Sequence, residues 1–244
     1  MKAAVRLARR GRVARIECRW RQARIDEAAA QELCEIAEEL RLDTDVAVVV
    51  LHSAGKDFCL GFDGLAWGAA LDCIDAVARL TQPVIAAVRG NAWGEGCELA
   101  LACDLRVAAE GASFSLPQVP LGRLPAHGGT QRLPRLVGAA RALDILWSGR
   151  AVDAGEAEQI GLASRVVPKA RLTAAANGLA AELAEKGPMA LRLAKEAVRA
   201  GNDMTLEQGV RLEQDLYVLL QTTRDRAEGV RAFLAKRKPR FRGE

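Results

Sequence analysis

The chain of 244 residues has no run of eighteen apolar residues, so nothing in it reads as a membrane span. Metal and disulfide chemistry are also poorly provided for. There are two histidines, and the six cysteines, at positions 18, 34, 59, 73, 97 and 103, form no CxxC pair. That excludes the usual zinc spacings, and a disulfide framework does not suit a chain this long and 50% hydrophobic. The cysteines read instead as small buried hydrophobes. Charge of one sign is scarce too: a net +4 is too weak to argue for a nucleic-acid partner by itself. No repeat and no low-complexity linker divides the sequence. Its basic N-terminus lacks the apolar stretch of a secretory signal, because Arg12, Arg15, Glu17 and Arg19 interrupt it. The expected location is the cytoplasm.

What is present is ample apolar material for one core. "GRVARIEC" alternates apolar and charged residues, as a half-exposed strand does. "VAVVVL" (46–51), "PVIAAV" (83–88) and "DLRVAA" (104–109) read as buried strands, and "SFSL" (113–116) as a weaker one. Helices are expected between them. Asp26 can cap one whose apolar face is Ala29, Leu33, Ile36, Ala37 and Leu40. Others are expected over 65–80 and from Gly96 to Cys103. Beyond residue 130 only "SRVV" (164–167) resembles a strand, and helices are expected over 139–147, 153–160, 170–186, 189–200 and 205–235. Thr205 and Gln208 form a capping-box pattern at the start of the last. The reading is an α/β core followed by a helical C-terminal region.

Two glycine-containing turns follow buried strands: "SAGKDFCLGFDG" and "RGNAWGEGCELA". Converging backbone N–H groups from two such turns can hold a developing oxyanion, although either turn alone is as well explained by chain reversal. The second turn carries an acid, Glu95, between Gly94 and Gly96, and a second acid, Glu98, in the first helical turn. A glutamate at the centre of a tight turn is the feature that most needs explaining. Glu98 has the simple alternative of stabilising a helix N-terminus. His52 reads as a strand-end residue and Asp63 as a turn-shaping one. Near the C-terminus, Arg231, Lys236, Arg237, Lys238, Arg240 and Arg242 face a single acid, Glu244, and read either as a solvated tail or as a polyphosphate contact.

The ordered set "GKDFCLGFD", "PVIAAVRGNAWGEGCELALACDLRVAA", "GGTQRLPRLVG", "SGRAVDAGEAEQIGLASRVVP" and "FLAKRKPRF" resembles the crotonase superfamily, the enoyl-CoA hydratase/isomerase family. The resemblance implies a crotonase-type spiral of ββα units, here assigned to residues 1–190. It also implies a C-terminal helical region, 191–244, that assembles homotrimers or homohexamers. The substrate would be an acyl-CoA, so coenzyme A arrives as part of the substrate, with no metal or permanently bound cofactor. The oxyanion N–H groups fall on Phe62 and Glu95. Of the two hydratase glutamates, one matches Glu98, but the second position holds Gln118, which cannot exchange a proton at neutral pH. His127, in the loop "LPAHGG", and the Glu95 carboxylate are the substitute proton carriers to weigh. Gly55, Lys56 and Asp57, with Lys236 and Lys238, match the coenzyme A contacts. The N-terminal "RWRQARIDEAAAQEL" lacks the family's asparagine motif. Phe62 and Trp93 are bulky enough to line a pocket for flat or cyclic acyl groups. The expected reaction is hydration of an enoyl-CoA. Double-bond isomerisation, thioester hydrolysis and a catalytically weak binding subunit are the alternatives.

Overall fold

Alternation in the first strands sets the architecture. In the computed structural model, which describes residues 3–64 and 69–244, β1 (Val5–Arg10) pairs antiparallel with β2 (Val13–Cys18). Along β2, Ala14, Ile16 and Cys18 are buried while Val13, Arg15 and Glu17 are half-buried. Helix α1 (Glu27–Leu42) follows, capped by the Asp26 carboxylate, which accepts the Ala29 N–H at 2.9 Å. Strand β3 (Val48–Ser53) then lies parallel to β2. Val48 to Leu51 are all buried, as a strand with both faces covered requires.

The chain next alternates between two sheets. After α2 (Ala69–Ala78), β4 (Val84–Val88) joins the first sheet and β5 (Asn91–Trp93) starts a second. After α3 (Glu95–Ala102), β6 (Leu105–Ala109) returns to the first sheet and β7 (Ser113–Ser115) to the second. Helices α4 (Gly129–Val137) and α5 (Ala139–Ser148), β8 (Val152–Asp153), α6 (Ala154–Gln159) and β9 (Arg165–Val167) complete the spiral. The large sheet has the order β1-β2-β3-β4-β6-β9 and the small one β5-β7-β8. The expected ββα spiral is therefore present.

The two faces of the large sheet bury different residues. Val49, Leu51 and Val84 pack in the main core with Leu33, Ile74 and Leu99. Val48, Val50, Ile85 and Val107 face α7 (Leu172–Ala184), which contributes Leu172, Ala176 and Ala180. Helix α8 (Pro188–Gly201) is tied to the core by charge. Arg192 donates to the carbonyls of Asp43 and Val46, and Lys195 and Arg199 both meet the Asp104 carboxylate at 2.7 Å. The division placed at 190/191 falls inside this helix.

The expected elements need correction, and the short strands β5 and β8 are among those not expected, β8 lying beyond residue 130, where 164–167 is the one strand expected. The helix expected over 205–235 is two helices, α9 (Leu206–Gln221) and α10 (Arg224–Leu234). The Thr222 and Thr223 hydroxyls donate to the carbonyls of Leu219 and Leu220, and the Thr223 hydroxyl also caps α10 by accepting the Arg226 N–H. Strand β1, half of whose residues are charged, has no counterpart among the expected elements. Nor has α4, which carries Pro134 in its interior. The start of the helix expected over 65–80 lies partly outside the described residues; its described part is α2.

Candidate active site

Three glycines explain how an acid comes to occupy the turn centre. Gly94 takes φ +55°, a conformation that L side chains rarely adopt. Gly96 is where backbones meet: a Cβ there would lie 2.1 Å from the Cys59 carbonyl oxygen. Glu95, between them, does not take a positive φ and is the first residue of α3. The turn needs glycine on either side of position 95 but not at it, so Glu95 carries no strain from a positive φ. Gly90, at φ +59°, lets the first turn lie against the second, since a Cβ would fall 2.5 Å from the Lys56 carbonyl oxygen.

Hydrogen bonds then lock the two turns together. The Cys59 N–H donates to the Asn91 carbonyl at 3.1 Å, and the Cys59 carbonyl accepts from the Trp93 N–H at 2.9 Å. The Asp57 carboxylate accepts the Asn91 N–H at 2.9 Å. Asp57 therefore holds the turns in register, and one of its oxygens is committed to that task. The result brings Phe62 and Glu95 together. The Phe62 N–H donates to the Glu95 carboxylate at 3.3 Å, and a Cβ on Gly61 would lie 2.4 Å from the same Oε2. The other oxygen, Oε1, faces Arg123 at 3.6 Å.

Glu98 is 0% exposed. Its Oε1 accepts two backbone hydrogen bonds, from His127 and Gly129, each 2.8 Å. Its Oε2 faces the side-chain N–H of Gln118 at 3.5 Å. Burial, the dominant cause, pushes the carboxyl up to about 7; the two backbone donors oppose the shift and the nearby Glu95 charge adds to it. A group titrating there suits proton exchange near neutral pH. Gln118 is itself buried, and its Oε1 has no protein partner among the described residues. The buried His127 ring meets the Phe62 ring edge-on, centroids 5.2 Å apart.

Phe62, Glu95, Glu98, Gln118 and His127 thus form one connected cluster. Gly55 and Lys56 lie in the turn beside it. Lys236 and Lys238 do not join it within this chain. Both are exposed, and Lys238 lines a separate cavity of about 740 Å³ between α10 and the C-terminal segment, with Arg224, Arg231 and Arg237. Trp93 is 38% exposed and its indole N–H donates to Ser113. Sequence reasoning missed Gly129, although its place in "HGGT" marked an unusual turn, and Arg123, which carried no local signal. Cys18, Cys59, Cys73, Cys97 and Cys103 are buried and their thiols are pushed up by burial, four of them to about 12. No group of three or more metal-ligating side chains occurs among the described residues.

A ββα spiral that sets a buried carboxyl of raised pKa beside two joined turns points to an enzyme that exchanges protons near neutral pH. Comparison makes the assignment specific. The family model "Enoyl-CoA hydratase/isomerase" matches residues 11–244, and the chain belongs to that family. It is 40% identical over 220 residues to a probable enoyl-CoA hydratase of Mycobacterium leprae, covering 86% of each chain. It is 40% identical over 230 residues to the 2,3-dehydroadipyl-CoA hydratase of Escherichia coli, covering 90% of each. The crystal structure of an enoyl-CoA hydratase from Bacillus anthracis superposes with a TM-score of 0.93 at 38% identity, covering 99% of this chain and 100% of that one.

Proposed function

We propose that this enoyl-CoA hydratase-type enzyme adds water to an α,β-unsaturated acyl-CoA with Glu98 as its working carboxylate. The observation that carries this reading is the asymmetric environment of Glu98. One oxygen is pinned by two backbone donors, and the other is left toward Gln118. The thioester oxygen binds to the N–H groups of Phe62 and Glu95. Water, oriented by the unpartnered Gln118 Oε1, loses a proton to Glu98 as its oxygen bonds to Cβ. The π electrons move toward the thioester oxygen, where the two N–H dipoles stabilise the charge. The enolate then collapses by taking a proton at Cα. Glu98 returns the proton it received, with His127 the second candidate donor. Gln118 in place of a second acid is what favours a one-carboxylate cycle in this reading.

The same substitution favours a second reading, double-bond isomerisation, in which Glu98 moves a proton between two carbons and no water is added. For coenzyme A itself we propose the turn at Gly55, Lys56 and Asp57. Lys236 and Lys238 would take part from a neighbouring subunit of a homotrimer or homohexamer in the cytoplasm. The test is turnover of linear, aromatic and dicarboxylic enoyl-CoA thioesters in heavy-oxygen water, followed by mass spectrometry. Label in a hydroxyacyl-CoA that disappears with Glu98→Gln is the expected result. A shifted double bond without label would replace hydration by isomerisation, and label in a free acid would mean hydrolysis.

A further inference from the structure

The Glu95 side chain is not needed for the turn and not needed to supply its N–H, yet it lies on the other oxyanion donor. Its Oε2 accepts the Phe62 N–H at 3.3 Å. An N–H group has one favourable acceptor direction, so an oxygen there stands where a thioester oxygen must go. The space it fills exists because Gly61 has no side chain, a Cβ there falling 2.4 Å from Oε2. Glu95 is also largely sequestered, with 15% of its side chain exposed, whereas its partner Arg123 is 52% exposed. Arg123 reaches the site from the loop that carries Gln118, to whose carbonyl its backbone N–H donates at 2.9 Å.

We infer that the Glu95 carboxylate is an internal competitor for the oxyanion hole. Substrate binding displaces it, and Arg123 receives it. This rests on the acyl-CoA reading of the same site and adds an affinity threshold to it. The hole is filled by an anion until a carbonyl displaces it. The exchange costs every thioester the same free energy, so it raises the threshold for occupying the hole without changing the ratio between acyl groups. Arg123 sets the balance. At 3.6 Å from Oε1 it already attracts the carboxylate, and a closer approach would pull Oε2 off Phe62.

Two measurements test this together. The first is amide hydrogen exchange at Phe62 in the free protein, wild type against Glu95→Ala. The substitution keeps the backbone N–H at position 95 and suits a helical position. The second is the binding of a chromophoric, aryl-conjugated enoyl-CoA, whose absorption moves to the red when its carbonyl is polarised. Binding is measured for wild type, Glu95→Ala, Arg123→Ala and the double variant. Exchange at Phe62 is expected to accelerate in Glu95→Ala. That variant is also expected to bind the thioester about tenfold more tightly, the size of losing a charged hydrogen-bond competitor, with a larger red shift. Arg123→Ala should weaken binding in the wild-type background and have no effect when Glu95 is absent. Unchanged exchange overturns the contact. Equal or weaker binding by Glu95→Ala, or an Arg123 effect that persists without Glu95, overturns the competition. Faster exchange with no thioester bound by any variant overturns the acyl-CoA reading, and the competition with it, while the contact stands.

Discussion

Glu98 is the residue at which function and stability oppose each other. Its folded carboxyl titrates near 7, against an ordinary value of 4.5. As pH rises through that interval the unfolded chain releases a proton that the folded chain retains, so stability falls and reaches its lower plateau above about pH 7. The difference amounts to about 3 kcal/mol. Glu98→Gln keeps an oxygen for the His127 and Gly129 N–H groups, and once the Gln118 amide turns over, so that its Oε1 replaces Nε2 toward position 98, the new amide can donate to it. The variant is therefore expected to lose turnover and to melt roughly 5–10 °C above the wild type at pH 8, the gap closing toward pH 4.5. Thermal melts across that range check the prediction. In the wild type, kcat/KM should rise with pH through about 7 as Glu98 ionises in the free enzyme. A Glu98→Gln variant that melts below the wild type at pH 8 would remove the argument that burial strains this carboxyl.

At the scale of elements, the start of α3 is fixed by contact as much as by hydrogen bonding. Gly96→Ala would gain helix propensity of about 1 kcal/mol. Against this, its Cβ would lie 2.1 Å from the Cys59 carbonyl oxygen, a backbone atom that cannot rotate away. Forcing the two segments apart costs about 1–3 kcal/mol. It also moves the turn that carries Phe62 relative to α3, and a displacement of about 1 Å is worth about 100-fold in rate. The expected outcome is a folded protein with a modest loss in denaturant midpoint and a large loss in kcat. The elements that fix this geometry were legible in the sequence where local pattern decided them. Asp26, the alternation of β2 and the continuous apolar run of β3 are examples. Strand β1 was not legible because an edge strand buries little, leaving "LARR" as exposed as a loop. Helix α4 was hidden by Pro134, and the break after α9 by two threonines that act through their hydroxyls. The cluster of Phe62, Glu95, Glu98, Gln118 and His127 was reachable through resemblance. Arg123 was not, because its partner Glu95 is distant in sequence and only the fold brings them together.

At the scale of the molecule, α8 has to hold its position against a core that runs through α7, and one carboxylate supplies much of the attachment. Asp104 accepts the Val84 N–H at 2.8 Å from within the large sheet and meets Lys195 and Arg199 of α8 at 2.7 Å each. Arg199 extends the contact to the carbonyls of Ala78 and Ala102, at the ends of α2 and α3. Burial lowers Lys195 to about 8, more than its attraction to Asp104 raises it. The lysine is thus held against its own desolvation. Between about pH 8 and its ordinary 10.5 the unfolded chain binds the extra proton, so this group's contribution to stability rises with pH across that window. Asp104→Ala would leave two cations side by side, one of them largely buried, and an unsatisfied strand N–H. A loss of about 3–5 kcal/mol is expected, read as a lower denaturant midpoint. Raising the pH toward 10.5 should recover part of it, because Lys195 can then shed its proton. Asp104→Asn, which keeps an acceptor for Val84 but no charge, should fall between the two. If Asp104→Asn matches the wild type at neutral pH, the ion pairs contribute nothing measurable to holding α8, and its packing together with the hydrogen bonds of Arg192, Lys195 and Arg199 to core carbonyls carries the attachment.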